Sequence, residues 1–450
     1  MCIICQTATI GASLLASVLP LNVAPAESAA PTKAGTTCRV AGATTVSKST
    51  KYVCKRVGKR LVWAKANAAT KPAATTTATG PSTNAGSFAP DSQCADQETP
   101  RTTYWQVSNG FPKFAQRIPS NGRVRVLMLP VDFPDAVATS TPGSDMLPIT
   151  RAIGDVFATL SGGALTFDFA TLPAYLRVSR NASSWGMGAY GSGRGDTYVA
   201  DIVRELDPQV DFAGVDVVVV MAPPTISGNQ VAYSPAMPYP ASAPLVTSEK
   251  SIFSATMVGA DAWWDPMTIV HEFGHLIGWQ DLYTLTIPSG APYEDYHQYV
   301  GKWDFMGYAW TKGLFGWHRF LQGWLEDAEV LCVVSAGEFS ATLAPIGAST
   351  KTSELLLLRG ASGKLVGIEV RRPSAMDAFV TTATQGVLVY TIDASGVTGQ
   401  GPLRVQGLSL TRNDYFATAP LKPSQTIVVD GWTITVASSG ADGDVVRATR

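Results

Sequence analysis

Asp265-Pro-Met-Thr-Ile-Val-His-Glu-Phe-Gly-His-Leu-Ile-Gly278 reads as one short helix with its own start and stop. Asp265 can cap a helix that begins at Pro266, where a missing N–H costs nothing, and Gly278 suits a left-handed stop. The spacing predicts about three turns. His271 and His275 stand four residues apart, so both imidazoles leave the same face and can ligate a single tetrahedral Zn²⁺. Glu272 lies about 100° around the axis, where it can act as base on a water at the open position of the ion without becoming a ligand. The chain holds only 4 histidines. Chance placement would give this pattern with a probability well under about 0.01.

The pattern extends to His271-Glu-x-x-His275-x-x-Gly278-x-x-Asp281. Gly278 permits a turn that returns position 281 to the metal, although long zinc motifs of this type usually end in a third His. A carboxylate is an acceptable zinc ligand, and it leaves the bound water a slightly weaker acid than an all-His site would. Two other readings stand beside this one. Asp281 could cap the next turn, or the third ligand could be a distant carboxylate such as Glu294 in Tyr293-Glu-Asp-Tyr296.

Outward from the motif, 450 residues exceed what one core usually organises. Near balance between 34 basic and 35 acidic residues gives no reason to expect nucleic acid as a partner. Residues 1–29 read as a signal peptide, with an apolar run too short to span a bilayer and small residues at its end, so a secreted protein without stable membrane insertion is expected. Residues 30–66 form a basic segment holding Cys38 and Cys54. It is expected to be a small stapled β-module, with a cell-wall polymer as a candidate partner. Residues 67–90 are mostly Ala, Thr, Pro, Gly and Ser, with no large apolar residue before Phe88, a linker composition expected to be disordered. Without the leader, Cys38, Cys54, Cys94 and Cys332 remain, and Cys38–Cys54 with Cys94–Cys332 is the favoured pairing of three. A Cys94 thiolate that blocks the metal in a precursor competes with the second bridge.

Residues 91–330 alternate strand and helix patterns. Arg123–Val131 reads as a strand with Pro130 at its end or on an edge, a helix starts near Asp196 with Val199, Ile202, Val203 and Leu206 on one face, and Val215–Met221 reads as a buried strand. Residues 331–450 carry short β runs, and Asp430-Gly431 marks a hairpin within Thr426–Val436. The expected fold is α+β: an α/β catalytic block followed by an antiparallel β-sandwich domain, read as accessory.

The run His271-Glu-Phe-Gly-His-Leu-Ile-Gly-Trp-Gln-Asp-Leu-Tyr283, followed by Val300-Gly-Lys-Trp-Asp-Phe-Met-Gly307, resembles the immune inhibitor A family of secreted metallopeptidases, which is similar to the metzincins. Val131-Asp-Phe-Pro-Asp135 and Gly316-Trp-His-Arg-Phe-Leu-Gln-Gly-Trp-Leu325 extend the likeness over roughly Val124 to Leu325, with a weaker echo in Gly386–Asp393. The resemblance implies a metzincin-like block in which Asp281 is the third zinc ligand and Glu272 the base. It also implies that Met306 is the methionine turned beneath the zinc, and that Tyr308 hydrogen-bonds the tetrahedral intermediate. Some relatives bind calcium through carboxylates; Asp132, Asp135, Asp295 and Asp304 are the conceivable donors for Ca²⁺ here, without the periodic acidic spacing of a recognisable site.

Together these features lead to the expectation of a secreted zinc endopeptidase acting on protein or peptide substrates. The substrate would pair with an edge strand at Ile252–Val258. A zinc amidase acting on cell-wall peptides and a non-catalytic, zinc-stabilised wall-binding or adhesion protein are the alternatives.

Overall fold

The computed structural model describes residues 36–37, 44–47, 50–57, 60–65, 87–97, 107–188, 195–348 and 352–450. The leader, most of the linker and Cys38, with its expected bridge to Cys54, lie outside the described residues. The chain divides into two compact units, 4–82 and, apart from the first three residues, 83–450. In the smaller one, strands Thr44–Ser47, Thr50–Val57 and Arg60–Lys65 form an antiparallel sheet with Tyr52, Cys54 and Trp63 buried.

The larger unit is α+β. Its first sheet runs Leu165–Thr171, Gly122–Asp132, Val217–Met221, Ser254–Val258, Ala236–Pro238; the last strand is antiparallel to its neighbour and the others are parallel. Side chains alternate across such strands, and both faces here are apolar. Val124, Val126, Met128, Val217 and Val219 face helices α1 (Pro142–Leu160) and α4 (Met267–Ile277). Leu127, Leu129, Val218 and Val220 face α2 (Gly195–Leu206), where Val199, Ile202, Val203 and Leu206 form the expected stripe. Coverage on both faces explains the unbroken valine run. Pro130 is the last residue of this interior strand to pair with Val217–Met221, and the strand goes on for two residues, Val131 and Asp132, that pair with Leu176 and Arg177, so Pro130 lies neither at its end nor on an edge strand. Ser254–Val258 is also interior, flanked by Val217–Met221 and Ala236–Pro238, which corrects the expected position of the substrate edge. The sheet's edges are Leu165–Thr171 and Ala236–Pro238, and the second, three buried residues on the Glu272 side, is too short and too proline-bounded to stand out in the sequence.

Two further sheets follow. Strands Val330–Val333, Leu355–Arg359, Leu365–Arg371, Gly386–Ile392 and Leu403–Gln406 form a five-stranded sheet; Glu338–Leu343, Gly443–Thr449, Trp432–Gly440 and Thr426–Val429 form a four-stranded one. They pack face to face through Leu356, Leu358, Val366, Ile368, Trp432, Ile434 and Val446. Asp430 and Gly431, both at positive φ, make the expected hairpin turn. One edge departs from the antiparallel expectation, because Val330–Val333 pairs in parallel with Leu355–Leu358. The other face of the five-stranded sheet, through Leu355, Leu357, Leu388 and Tyr390, shares a core with Phe315, Trp317 and the α4 side chains.

The first and last parts of the unit are joined covalently as well. Cys94 and Cys332, both fully buried, form a disulfide, so Cys94 offers no thiolate to a metal. Ala89 N–H donates to Cys332 O at 2.8 Å, so the chain is already docked within the stretch assigned to the linker. No helix among the described residues is long and apolar enough to cross a membrane.

Candidate metal centre

Helix α4 starts one residue later than its sequence suggests, with Asp265 Oδ1 accepting the Met267 N–H at 2.9 Å. It stops at Gly278, where φ is +113°. The backbone then doubles back, Trp279 N–H bonding Gly274 O at 2.9 Å and Leu282 N–H bonding Met306 O at 3.0 Å, which brings residue 281 against the helix face that carries the histidines.

Asp281 Oδ1 lies 3.1 Å from His271 Nε2 and 3.2 Å from His275 Nε2. Ligand atoms about 2.0–2.2 Å from a tetrahedral zinc stand about 3.3–3.5 Å apart, so these contacts nearly match the edges of a coordination tetrahedron. The ligand atoms of all three residues lie within 4.8 Å of one another. On the far side of each ring, Nδ1 faces a backbone carbonyl: Phe305 O at 3.2 Å for His271 and Trp279 O at 2.8 Å for His275. A carbonyl only accepts, so Nδ1 carries the proton and Nε2 is the nitrogen left for a metal.

The electrostatics suit a cation. Burial disfavours charge on His275, yet the adjacent Asp281 carboxylate outweighs it and lifts the pKa to about 9. Burial acts against ionised Asp281 too, but His275 and the hydrogen bond from His271 hold that carboxyl well below the usual range. A divalent ion would replace the proton shared among these three groups.

Glu272 is buried beside them. Burial raises its pKa against the pull of His275 and His271. Its Oε2 accepts the Ala236 N–H at 2.7 Å, so the carboxylate is tied to the edge strand Ala236–Pro238. Asp261 in α3 (Ala260–Trp264) is a neighbour the sequence did not single out. Burial lifts its pKa to about 7, the charge of Glu272 adding to the effect, while Ser234 Oγ donates to it.

Met306 is fully buried beneath α4. A Cβ built on Gly274 would stand 2.3 Å from its Sδ. Asp304 shapes this turn: Oδ1 accepts the Met306 N–H, and Oδ2 accepts the Phe315 N–H and His318 Nδ1–H, each at 2.9 Å. The His318 ring stacks on Trp279, whose carbonyl holds His275. His318 is therefore a buried support, and His297, bonded through Nδ1 to Gly307 O, is buried as well.

No family model matches the chain, and no curated protein does either.

Other candidates fall elsewhere. Tyr308 packs against His297, Trp310 and Tyr415, and its hydroxyl bonds that of Tyr415. Tyr283, which sequence reasoning did not mark, has its ring 5.9 Å from that of His271. Glu294 belongs to a 3₁₀ turn over Tyr293–His297 and is not part of the His-His-Asp cluster. The four acidic residues considered for calcium are each held by protein donors: Asp132 by Arg177, Asp135 by Ala182 and Ser183, Asp295 by Arg412, and Asp304 as above.

Proposed function

We propose that α4 and the turn after it form the centre of a secreted zinc endopeptidase of metzincin-like build, as the resemblance to immune inhibitor A peptidases implies. One observation carries this reading: Asp281 Oδ1 stands 3.1 and 3.2 Å from the two Nε2 atoms, with Glu272 buried alongside. Zinc held by His271, His275 and Asp281 would supply a Lewis acid for the scissile carbonyl and an acidified water. Glu272 takes the proton of the attacking water and later delivers it to the leaving amine. The Ala236 N–H holds one oxygen of that carboxylate and leaves the other for the proton. A zinc site that merely stabilised a fold would have no use for a buried base at this place.

The edge strand Ala236–Pro238 supports a polypeptide substrate. Because Ala236 N–H points to Glu272 and Pro238 has no N–H, the outward face of this strand offers carbonyls to a partner. An extended polypeptide satisfies them with its own N–H groups, which favours protein over wall-peptide substrates. Met306 serves as an apolar floor. Tyr308 serves the tetrahedral intermediate only after leaving Tyr415. The Cys94–Cys332 bond is compatible with an oxidising compartment.

Casein digestion tests the reading. The wild type should digest casein, a chelator should stop it, and Glu272→Gln should stop it with zinc content unchanged. Equal digestion by Glu272→Gln, or cleavage of wall peptides but not casein, would overturn it.

A further inference from the structure

The connection between strands Gly386–Ile392 and Leu403–Gln406 belongs to the five-stranded sheet, more than one hundred residues beyond α4 in the chain. Its tip nevertheless meets the metal centre. Thr398 Oγ1 accepts the Asp281 backbone N–H at 2.9 Å and donates to Asp281 Oδ2 at 3.3 Å. Gly399 N–H donates to Asp281 O at 3.1 Å. Residues 398 and 399 thus hold the amide, the carbonyl and one carboxylate oxygen of Asp281.

The two oxygens of that carboxylate have separate duties. Oδ1 faces both imidazoles, and Oδ2 faces the threonine hydroxyl. A hydroxyl has one proton. With its lone pair engaged by the Asp281 N–H, that proton is directed at Oδ2. The connection is itself anchored: Asp393 N–H bonds Pro402 O at 2.8 Å, Lys364 Nζ pairs with Asp393 at 2.8 Å, and Val405 N–H bonds Tyr299 O at 2.9 Å.

We propose that Thr398 is a positioning residue for the metal, holding Asp281 so that it offers Oδ1 alone and leaves the fourth coordination place open. The inference rests on the zinc reading of the His271, His275 and Asp281 cluster. It gives the C-terminal β segment a part in the chemistry that its sequence, without any motif, does not suggest. Partners that hydrogen-bond a metal ligand typically change affinity by about 10–100-fold.

The test is competition for zinc between a chromogenic chelator and the full chain, as wild type, Thr398→Val, Thr398→Ser and His271→Ala. Valine keeps the shape of threonine without the hydroxyl, and serine keeps the hydroxyl. Zinc affinity should fall about 10–100-fold in Thr398→Val, return in Thr398→Ser, and vanish in His271→Ala. Thermal unfolding of the metal-free proteins separates this from loss of fold, Thr398→Val being expected to keep a single cooperative transition at a midpoint lowered only by the lost partner of the Asp281 N–H. Unchanged zinc affinity in Thr398→Val, with tight wild-type binding lost in His271→Ala, would overturn the role of Thr398 and leave the zinc reading standing. A loss in Thr398→Val that Thr398→Ser does not restore would also overturn it. A wild type that binds no zinc would overturn the zinc reading, and this inference with it.

Discussion

Met306 places its sulfur where a side chain on Gly274 would have to go, since a Cβ there would stand 2.3 Å from Sδ and 3.2 Å from Phe305 Cε2. The helix that carries both histidines and the turn beneath it are thus interlocked at one glycine.

Two opposing effects decide Gly274→Ala. Alanine favours a helix over glycine by about 1 kcal/mol. Overpacking a filled core costs about 1–3 kcal/mol, and both Met306 and Phe305 are fully buried with little room to give. The variant should be less stable by up to about 2 kcal/mol, and zinc binding should weaken because Phe305 O orients His271. Urea unfolding and zinc competition measure the two effects.

Arg371 should be one of the most sensitive positions outside the proposed metal centre. Its guanidinium is fully buried between Glu369, 3.2 Å away, and Asp377, 3.4 Å away, and it also donates to Leu314 O and Trp303 O. Removing one partner from a buried ion cluster costs about 3–5 kcal/mol, because the remaining charges stay buried. Arg371→Met should lose about that much in urea unfolding. The same shared packing predicts that residues 91–330 expressed alone will not give a soluble, cooperatively folding protein, since Trp317 and Phe315 would lose the sheet they pack on.

Two buried groups make stability depend on pH in opposite senses. Asp261 goes from 3.8 to about 7 on folding, so the native state keeps a proton the unfolded chain has lost; its contribution is full below about pH 4 and disappears as pH rises through 7. His297, lowered by burial from 6.5 to about 4, contributes fully above pH 6.5 and loses that contribution as pH falls through 4. The two slopes oppose each other across the same window. Asp261→Asn removes one of them, so its stability relative to the wild type should climb by up to about 1.4 kcal/mol per pH unit between pH 4 and 7. Urea unfolding at pH 4.5, 5.5 and 6.5 measures the difference.

What was legible in the sequence was local. The four-residue spacing of His271 and His275, the stop at Gly278, the α2 stripe and the Asp430-Gly431 hairpin all follow from helix or strand periodicity and turn chemistry. Helix α1 was missed although Ile149, Ile153, Phe157 and Leu160 follow helical spacing, because Pro148 lies inside it. The burial of Leu355–Leu358 between two cores, the parallel strand at Val330–Val333 and the hold of Thr398 on Asp281 arise from contacts far apart in the chain. No residue period encodes those. The edge at Ala236–Pro238 was hidden for a related reason, being three buried residues whose place at the edge depends on where the other strands lie.

The most direct test of the metal centre is anomalous diffraction from crystals grown with zinc, recorded on both sides of the zinc absorption edge. A single edge-dependent peak about 2.0–2.2 Å from His271 Nε2, His275 Nε2 and Asp281 Oδ1 is the predicted result. A peak bound elsewhere, or one ligated by the histidines with Asp281 turned away, would contradict it.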